Sequence, residues 1–240
     1  MNFCIFLEFL SIDLFKNINI NIKKMTFWLK NNIVSKNLDY YDLFVNKINC
    51  KYVWQCSEKN IYNLYANNIQ KNHIEIGPGT GYYLKPYISN LKTLELIDIN
   101  SNILRYANMR LNHPDLKKKI ININLFKRNN SLKITNKVTS IGVNCVLHCV
   151  PGPIEINIDN LINNLKKENE QNKIIIFGSS VINDSEKNIL QDFELGLLNY
   201  FRIFHNKQDN EEKLINYFKQ KKLEYKTTKV GSIILFSIHL

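Results

Sequence analysis

A chain of 240 residues is long enough for one domain with a full hydrophobic core. Its 45% hydrophobic and 11% aromatic content excludes a disordered or fibrous chain. The formal charge of +11 comes from lysines scattered through a chain rich in Asn, Ile and Lys, with short clusters such as Lys117-Lys118-Lys119 and few arginines. That pattern reads as compositional drift and argues against a nucleic-acid track.

The five cysteines, Cys4, Cys50, Cys56, Cys145 and Cys149, have the spacing of neither a disulfide framework nor a zinc ribbon. Reduced thiols in a cytoplasmic protein are the expectation. The apolar start carries Glu8 and Asp13 and lacks a basic leader, so it fits neither a secretion signal nor a membrane span. Met25 opens a more ordinary beginning. Residues 1–24 therefore read as a variable extension and 25–240 as a single domain, with a helical cap over 25–70 and an α/β core over 71–240.

Within the cap, Leu43, Phe44 and Ile48, then Ile61, Leu64, Tyr65 and Ile69, recur at helical spacing. The aromatic run Tyr52-Val-Trp54-Gln-Cys56 separates them. A strand is expected over 73–76, a glycine turn, a helix over 82–89, a second strand over 93–98, and a helix over 101–111 capped by Ser101. Further strands are expected over 120–125 and 138–143, a helix over 158–167, and a compact apolar strand over 173–178. Two amphipathic helices, 186–204 and 211–221, precede two β runs, 224–229 and 232–239, joined around Val230-Gly231. Strands alternating with helices predict an α/β fold with a mostly parallel sheet, helices on both faces and an antiparallel finish.

The chemistry is concentrated in His73-Ile-Glu75-Ile-Gly77-Pro78-Gly79-Thr-Gly81. Alternating glycines let the backbone turn tightly and let a ligand come closer than a Cβ permits. A dinucleotide fingerprint would place glycine where Tyr82 stands. The pattern E-x-G-x-G-x-G instead resembles motif I of the class I S-adenosylmethionine-dependent methyltransferases. The run Asn144-Cys-Val-Leu-His148-Cys-Val-Pro-Gly152 resembles a subgroup of microbial small-molecule, natural-product methyltransferases. The likeness extends to Tyr-Val-Trp-Gln-Cys, to Phe177-Gly-Ser and to Val230-Gly-Ser-x-x-x-Phe236, and so covers the chain from about residue 40.

The resemblance implies a Rossmann-like, seven-stranded sheet and S-adenosyl-L-methionine as cofactor, with S-adenosyl-L-homocysteine as product. Ligands of open α/β sheets sit beyond the carboxyl ends of the strands. The implied cofactor contacts are Glu75 near the methionine end, Gly77, Pro78, Gly79 and Gly81 as backbone, and Asp98 on the ribose hydroxyls. Ile99 and Asn100, the two residues after Asp98, complete the implied contacts on that loop. Asn124 stands where many members carry Asp for the adenine amino group, Leu125 or Phe126 would flank the ring, and Asn144 closes strand four.

Tyr52, Trp54, Tyr82 and Tyr83 are candidates to line a cofactor or substrate pocket, and for core packing. His148 is either a general base for a hydroxyl or amine acceptor or a buried residue that holds its loop. Thr139 and Asn144 leave no acidic cluster for a hard cation, so no metal is expected. The leading function is O-methylation of a small molecule in secondary metabolism, by a monomer or homodimer and without a membrane or nucleic-acid partner. RNA or protein methylation and a non-catalytic cofactor-fold protein are the competing readings.

Overall fold

A computed structural model describes residues 42–135, 137–169, 173–184 and 187–240. The expected extension over 1–24, the start of the cap and the first residue of the 186–204 helix lie outside the described residues. A π-helical stretch, Asp42–Asn49, runs into a short turn, Cys50–Tyr52, and helix α1 follows at Glu58–Asn68. Strand β1 (Asn72–Ile76) leads through the glycine turn to a 3-10 segment, Lys85–Asn90, and then β2 (Thr93–Asp98). No regular helix forms over 82–89, because Pro86 has no N–H to return to the Tyr82 carbonyl.

Helix α2 (Ser101–Arg110) is capped by Asn100, whose side chain accepts from Asn102 N, so the cap lies one residue before Ser101. Strand β3 (Lys117–Asn122) pairs with β2 from Thr93↔Lys117 to Asp98↔Asn122. It starts and ends three residues earlier than expected. Asn122 Nδ2 donates to Asp98 O at 2.9 Å, and Asn124 already belongs to a turn. Lys117, Lys118 and Lys119 thus sit on the edge strand of the sheet, where lysine discourages pairing with another chain.

Strand β4 (Leu132–Ile134) is followed by β5 (Ser140–Asn144), helix α3 (Ile154–Asn164) and β6 (Leu165–Lys167). The β4–β6 pair is a small parallel sheet that the expected helix over 158–167 had absorbed. Asn164 Nδ2 donates to Leu125 O and Lys127 O at 2.9 and 2.8 Å and stops the helix there. Strand β7 (Ile175–Val181), helices α4 (Ile189–Tyr200) and α5 (Glu211–Gln220), and strands β8 (Glu224–Val230) and β9 (Ile233–His239) complete the chain.

The main sheet has seven strands in the order β3-β2-β1-β5-β7-β9-β8. β1, β2, β3, β5 and β7 are parallel, and β9 runs antiparallel between β7 and β8. A core on each face follows from strand alternation. Ile74, Ile76, Ile141 and Val143 face Ile158 and Leu161 of α3 and Leu214 and Phe218 of α5. Leu94, Leu96, Phe177 and Val181 share the other core with Ile61 and Tyr65 of α1, Leu104 and Ala107 of α2, and Leu195 of α4. The sheet order reverses between β1 and β5, which places the ligand crevice beyond their carboxyl ends. Among the described residues no helix is long and apolar enough to cross a membrane.

Candidate active site

The turn after β1 is built from three glycines with positive φ: 64° at Gly77, 53° at Gly79 and 74° at Gly81. A Cβ at Gly77 would strike the Val146 side chain, and one at Gly81 would strike Leu111. A Cβ at Gly79 would meet nothing within 4 Å. The outer two glycines therefore permit tight packing of the turn, and the middle one presents bare backbone to open space. Pro78 is buried between them. Gly77 N donates to Ile97 O at 2.8 Å and fastens the turn to the end of β2.

A clamp holds the far side of the turn. Thr80 is buried and its hydroxyl donates to Asp42 Oδ1 at 2.5 Å. Arg110, at the end of α2, pairs with Asp42 Oδ2 and donates to Thr80 O at 3.4 Å. The buried Asp42 thereby ties the first described segment, the glycine turn and α2 together. Sequence reading missed this trio, because its members lie far apart in the chain. Asp42→Ala leaves the Arg110 guanidinium without its carboxylate and frees Thr80. We expect S-adenosylhomocysteine affinity to fall by roughly 10-fold, measured by calorimetry.

Strand β2 ends at Asp98, beside the turn. Its Oδ1 accepts from Asn100 N at 2.7 Å. Burial raises the pKa of this carboxyl, and the Asn100 and Ile99 N–H groups draw it part of the way back. Ile99 is 68% exposed, a large apolar surface next to a held carboxylate. This pairing suits a ligand with a flat apolar part and neighbouring hydroxyl donors.

Several expected contacts have other occupations. Glu75 is 2% exposed. Its Oε1 accepts from the Tyr65 hydroxyl at 2.5 Å and its Oε2 is 2.8 Å from His73 Nε2. Both oxygens serve the interior, so the structure does not offer Glu75 to a ligand. Asn124 Oδ1 accepts from Phe126 N at 2.9 Å in a local turn, as asparagine side chains do in loops. Leu125 is 1% exposed and belongs to the core.

The aromatic candidates divide. Trp54 and Tyr83 are buried: Trp54 packs on Phe204, and the Tyr83 hydroxyl donates to Asn46 O at 3.2 Å. Tyr82 is half-buried, donates to Glu58 at 2.7 Å and lies under the Arg110 guanidinium. Tyr52 is 62% exposed.

Beyond β5, Asn144 is buried and its Oδ1 takes the Ser179 hydroxyl from β7. Cys145 follows with φ of 54°, a left-handed conformation that a non-glycine residue adopts at some cost. Its N–H donates to Ser179 O at 2.9 Å, and burial raises its thiol pKa. The kink points Val146 at Gly77, so the loops after β1 and β5 interlock.

His148 is 5% exposed. Its Nδ1 accepts from Val181 N at 3.1 Å, with the Ser180 hydroxyl at 3.4 Å. The ring lies 4.3 Å from that of Phe204. Burial lowers its pKa to about 3. Because Nδ1 is committed to a backbone donor, the neutral ring carries its proton on Nε2. It can donate a hydrogen bond from that edge, but it has no free lone pair with which to take a proton.

No protein-family model matches the chain. It is similar to the O-methyltransferase adaD of Aspergillus niger, 27% identical over 207 residues that cover 82% of both chains. The demethylluteothin O-methyltransferase of Streptomyces thioluteus is 28% identical over 204 residues, 82% of this chain and 84% of its own. Among solved structures, the N-methyltransferase NodS from Bradyrhizobium japonicum in complex with S-adenosyl-L-homocysteine superposes with a TM-score of 0.51. That superposition covers 86% of this chain and 97% of the other at 13% identity, a likeness of fold. The strand order and antiparallel finish are those of the class I methyltransferase fold.

Proposed function

We propose that the chain is a class I S-adenosylmethionine-dependent methyltransferase that methylates an oxygen of a small-molecule acceptor of secondary metabolism. The observation that carries the cofactor reading is the glycine turn: Gly79 faces open space between two packed glycines and is hydrogen-bonded through Gly77 to the strand that ends in Asp98. This geometry fits the cofactor. Backbone around Gly77, Gly79 and Gly81 would lie against its amino-acid end, the Asp98 carboxylate would accept from the ribose hydroxyls, and Ile99 and Asn100 would border the adenosine. Bound there, the cofactor supplies a methyl group activated by an adjacent sulfonium.

The protein's own contribution is alignment. An in-line displacement at carbon gains most from fixed donor and acceptor positions. His148, neutral and bonded through Nδ1, serves to position the loop between Asn144 and Gly152 on β7. The choice of oxygen rests on the O-methyltransferases to which the chain is similar. Against a nucleic-acid acceptor stands the place of the cluster Lys117, Lys118 and Lys119, which lies on the edge strand of the sheet.

Calorimetry with S-adenosylhomocysteine and NAD tests this reading. We expect the first to bind and the second not to. Asp98→Ala should weaken the first by roughly 1.5–3 kcal/mol, the worth of hydrogen bonds to a charged group. Binding of NAD alone, or an Asp98→Ala protein that binds S-adenosylhomocysteine like the parent, overturns it.

A further inference from the structure

His148 stands two residues beyond Val146, whose side chain closes on the glycine turn at Gly77. It therefore belongs to the rim shared by the loops after β1 and β5. Val181, the last residue of β7, fixes the ring from the other side through the bond to Nδ1. The imidazole thus lies over the carboxyl ends of β5 and β7, next to the point where the sheet order reverses. The cofactor reading occupies the ends of β1 and β2, which leaves the ends of β5 and β7 for the acceptor.

Nδ1 is committed, so Nε2 is the ring's remaining polar atom. It has no hydrogen-bond partner among the described residues, yet it is not closed off from water. Asp209 is the contrast. Its Oδ1 accepts from Ile154 N at 3.0 Å, at the start of α3, and its Oδ2 is both unpartnered and closed off. A ligand atom can reach Nε2 and cannot reach Asp209 Oδ2. Burial alone lowers the imidazole pKa to about 3, with no charged side chain contributing, so the ring stays neutral and keeps its proton on Nε2 around neutrality. A nearly buried N–H that meets the crevice only at its tip gains most from an anionic oxygen.

We propose that His148 determines acceptor specificity: its Nε2–H holds the oxygen of an acceptor that enters already ionised. This rests on the methyltransferase reading above. A ring that cannot take a proton cannot activate a neutral alcohol or an ordinary phenol. The class that needs no such help is a hydroxyl conjugated to an electron-withdrawing group, either the enol of a 1,3-dicarbonyl or a phenol conjugated to a carbonyl. Such a hydroxyl loses its proton to water before it binds. Its oxygen lone pair then forms the O–CH₃ bond, and the C–S bond breaks with its electrons left on sulfur. The His148 proton stays on Nε2 throughout. A hydrogen bond to a charged oxygen is stronger than one to a neutral oxygen, so the donor selects the anion over the parent hydroxyl and over the methyl ether product.

The test uses the full chain saturated with S-adenosylhomocysteine and 4-nitrophenol as probe, which ionises near neutrality and turns yellow when it does. Its absorbance on the protein is followed across pH. We expect the bound probe to ionise about one pH unit lower than in free solution, a roughly 10-fold preference for the anion. Two variants separate the two edges of the ring. His148→Asn keeps an acceptor for Val181 N, but its amide nitrogen falls short of the Nε2 position, so it should abolish the shift. His148→Gln carries an amide donor to the Nε2 position and gives up the Val181 bond, so it should keep the shift while melting lower than the parent. A probe that does not bind, an ionisation no lower than in solution, or a shift kept in His148→Asn and lost in His148→Gln overturns the proposal. Failure of S-adenosylhomocysteine itself to bind would instead remove the methyltransferase reading on which the acceptor site depends.

Discussion

Glu75→Ala should destabilise the protein by about 3–5 kcal/mol, the usual effect of stripping one partner from a buried charged network. The network is directional. Gln70 N donates to Ser140 Oγ at 2.9 Å, and the Ser140 hydroxyl lies 2.9 Å from His73 Nδ1. His73 Nε2 then meets Glu75 Oε2, and the Tyr65 hydroxyl donates to Oε1. His73, Glu75, Ser140 and Tyr65 are all nearly inaccessible to water.

Removing the carboxylate orphans two donors at once. Gly142 on β5 shows how closely the site is fitted, since a Cβ there would collide with Glu75 Oε2. Glu75→Gln retains the volume and one acceptor but turns an amide N–H₂ toward a donor. It should cost less, about 1–3 kcal/mol. Urea unfolding of both variants checks the order. An unchanged midpoint together with a large loss of S-adenosylhomocysteine affinity would return Glu75 to the ligand.

This case shows where sequence reading stops. The acid before the glycines was legible as a type, but β1 has period two, and Glu75 shares the His73 face that packs under Tyr65. Which face an acid at a strand end takes depends on a helix whose Tyr65 lies eight residues upstream of His73 and on a strand far downstream. Strand β2, the closing hairpin and the parallel order were legible, because each carries its own period and its own turn signal.

Strand β3 was displaced because an edge strand can be lysine-rich, so the apolar run beginning at Ile120 looked like its start. The β4–β6 pair was hidden because three-residue strands have no period to detect. Asp209 gave no signal at all. Its neighbours Lys207, Gln208 and Asn210 read as a polar loop, and only folding brings it under the first residue of α3. The role of His148 was equally open in sequence, since the residue that decides it is Val181 N–H, 33 residues away.

For His148 the decisive variable is pH. An imidazole that must stay neutral when folded, with a pKa lowered to about 3 by burial, binds its proton more readily in the unfolded chain. Between the unfolded value near 6.5 and about 3 the unfolded state takes up the proton and the folded state does not. The stability this residue contributes is therefore full above pH 6.5 and drains away as the pH falls through that window. The total is of order 3–5 kcal/mol if the folded state never charges it.

In His148→Asn the amide oxygen can take the place of Nδ1 toward Val181 N, but nothing titrates. We expect the variant to be less stable than the parent at pH 7.5, where lost packing against Phe204 dominates. The gap should close, and then reverse, as the pH drops to about 4. Thermal unfolding of both proteins across that range gives the curve. Turnover should show the same pH dependence in parent and variant above pH 6.5, because a ring whose Nδ1 is bonded to a backbone N–H has no role as a base. If the parent shows an acid limb of turnover near neutrality that disappears in His148→Asn, the imidazole does take a proton from the acceptor. The Val181 hydrogen bond would then have to break during the reaction.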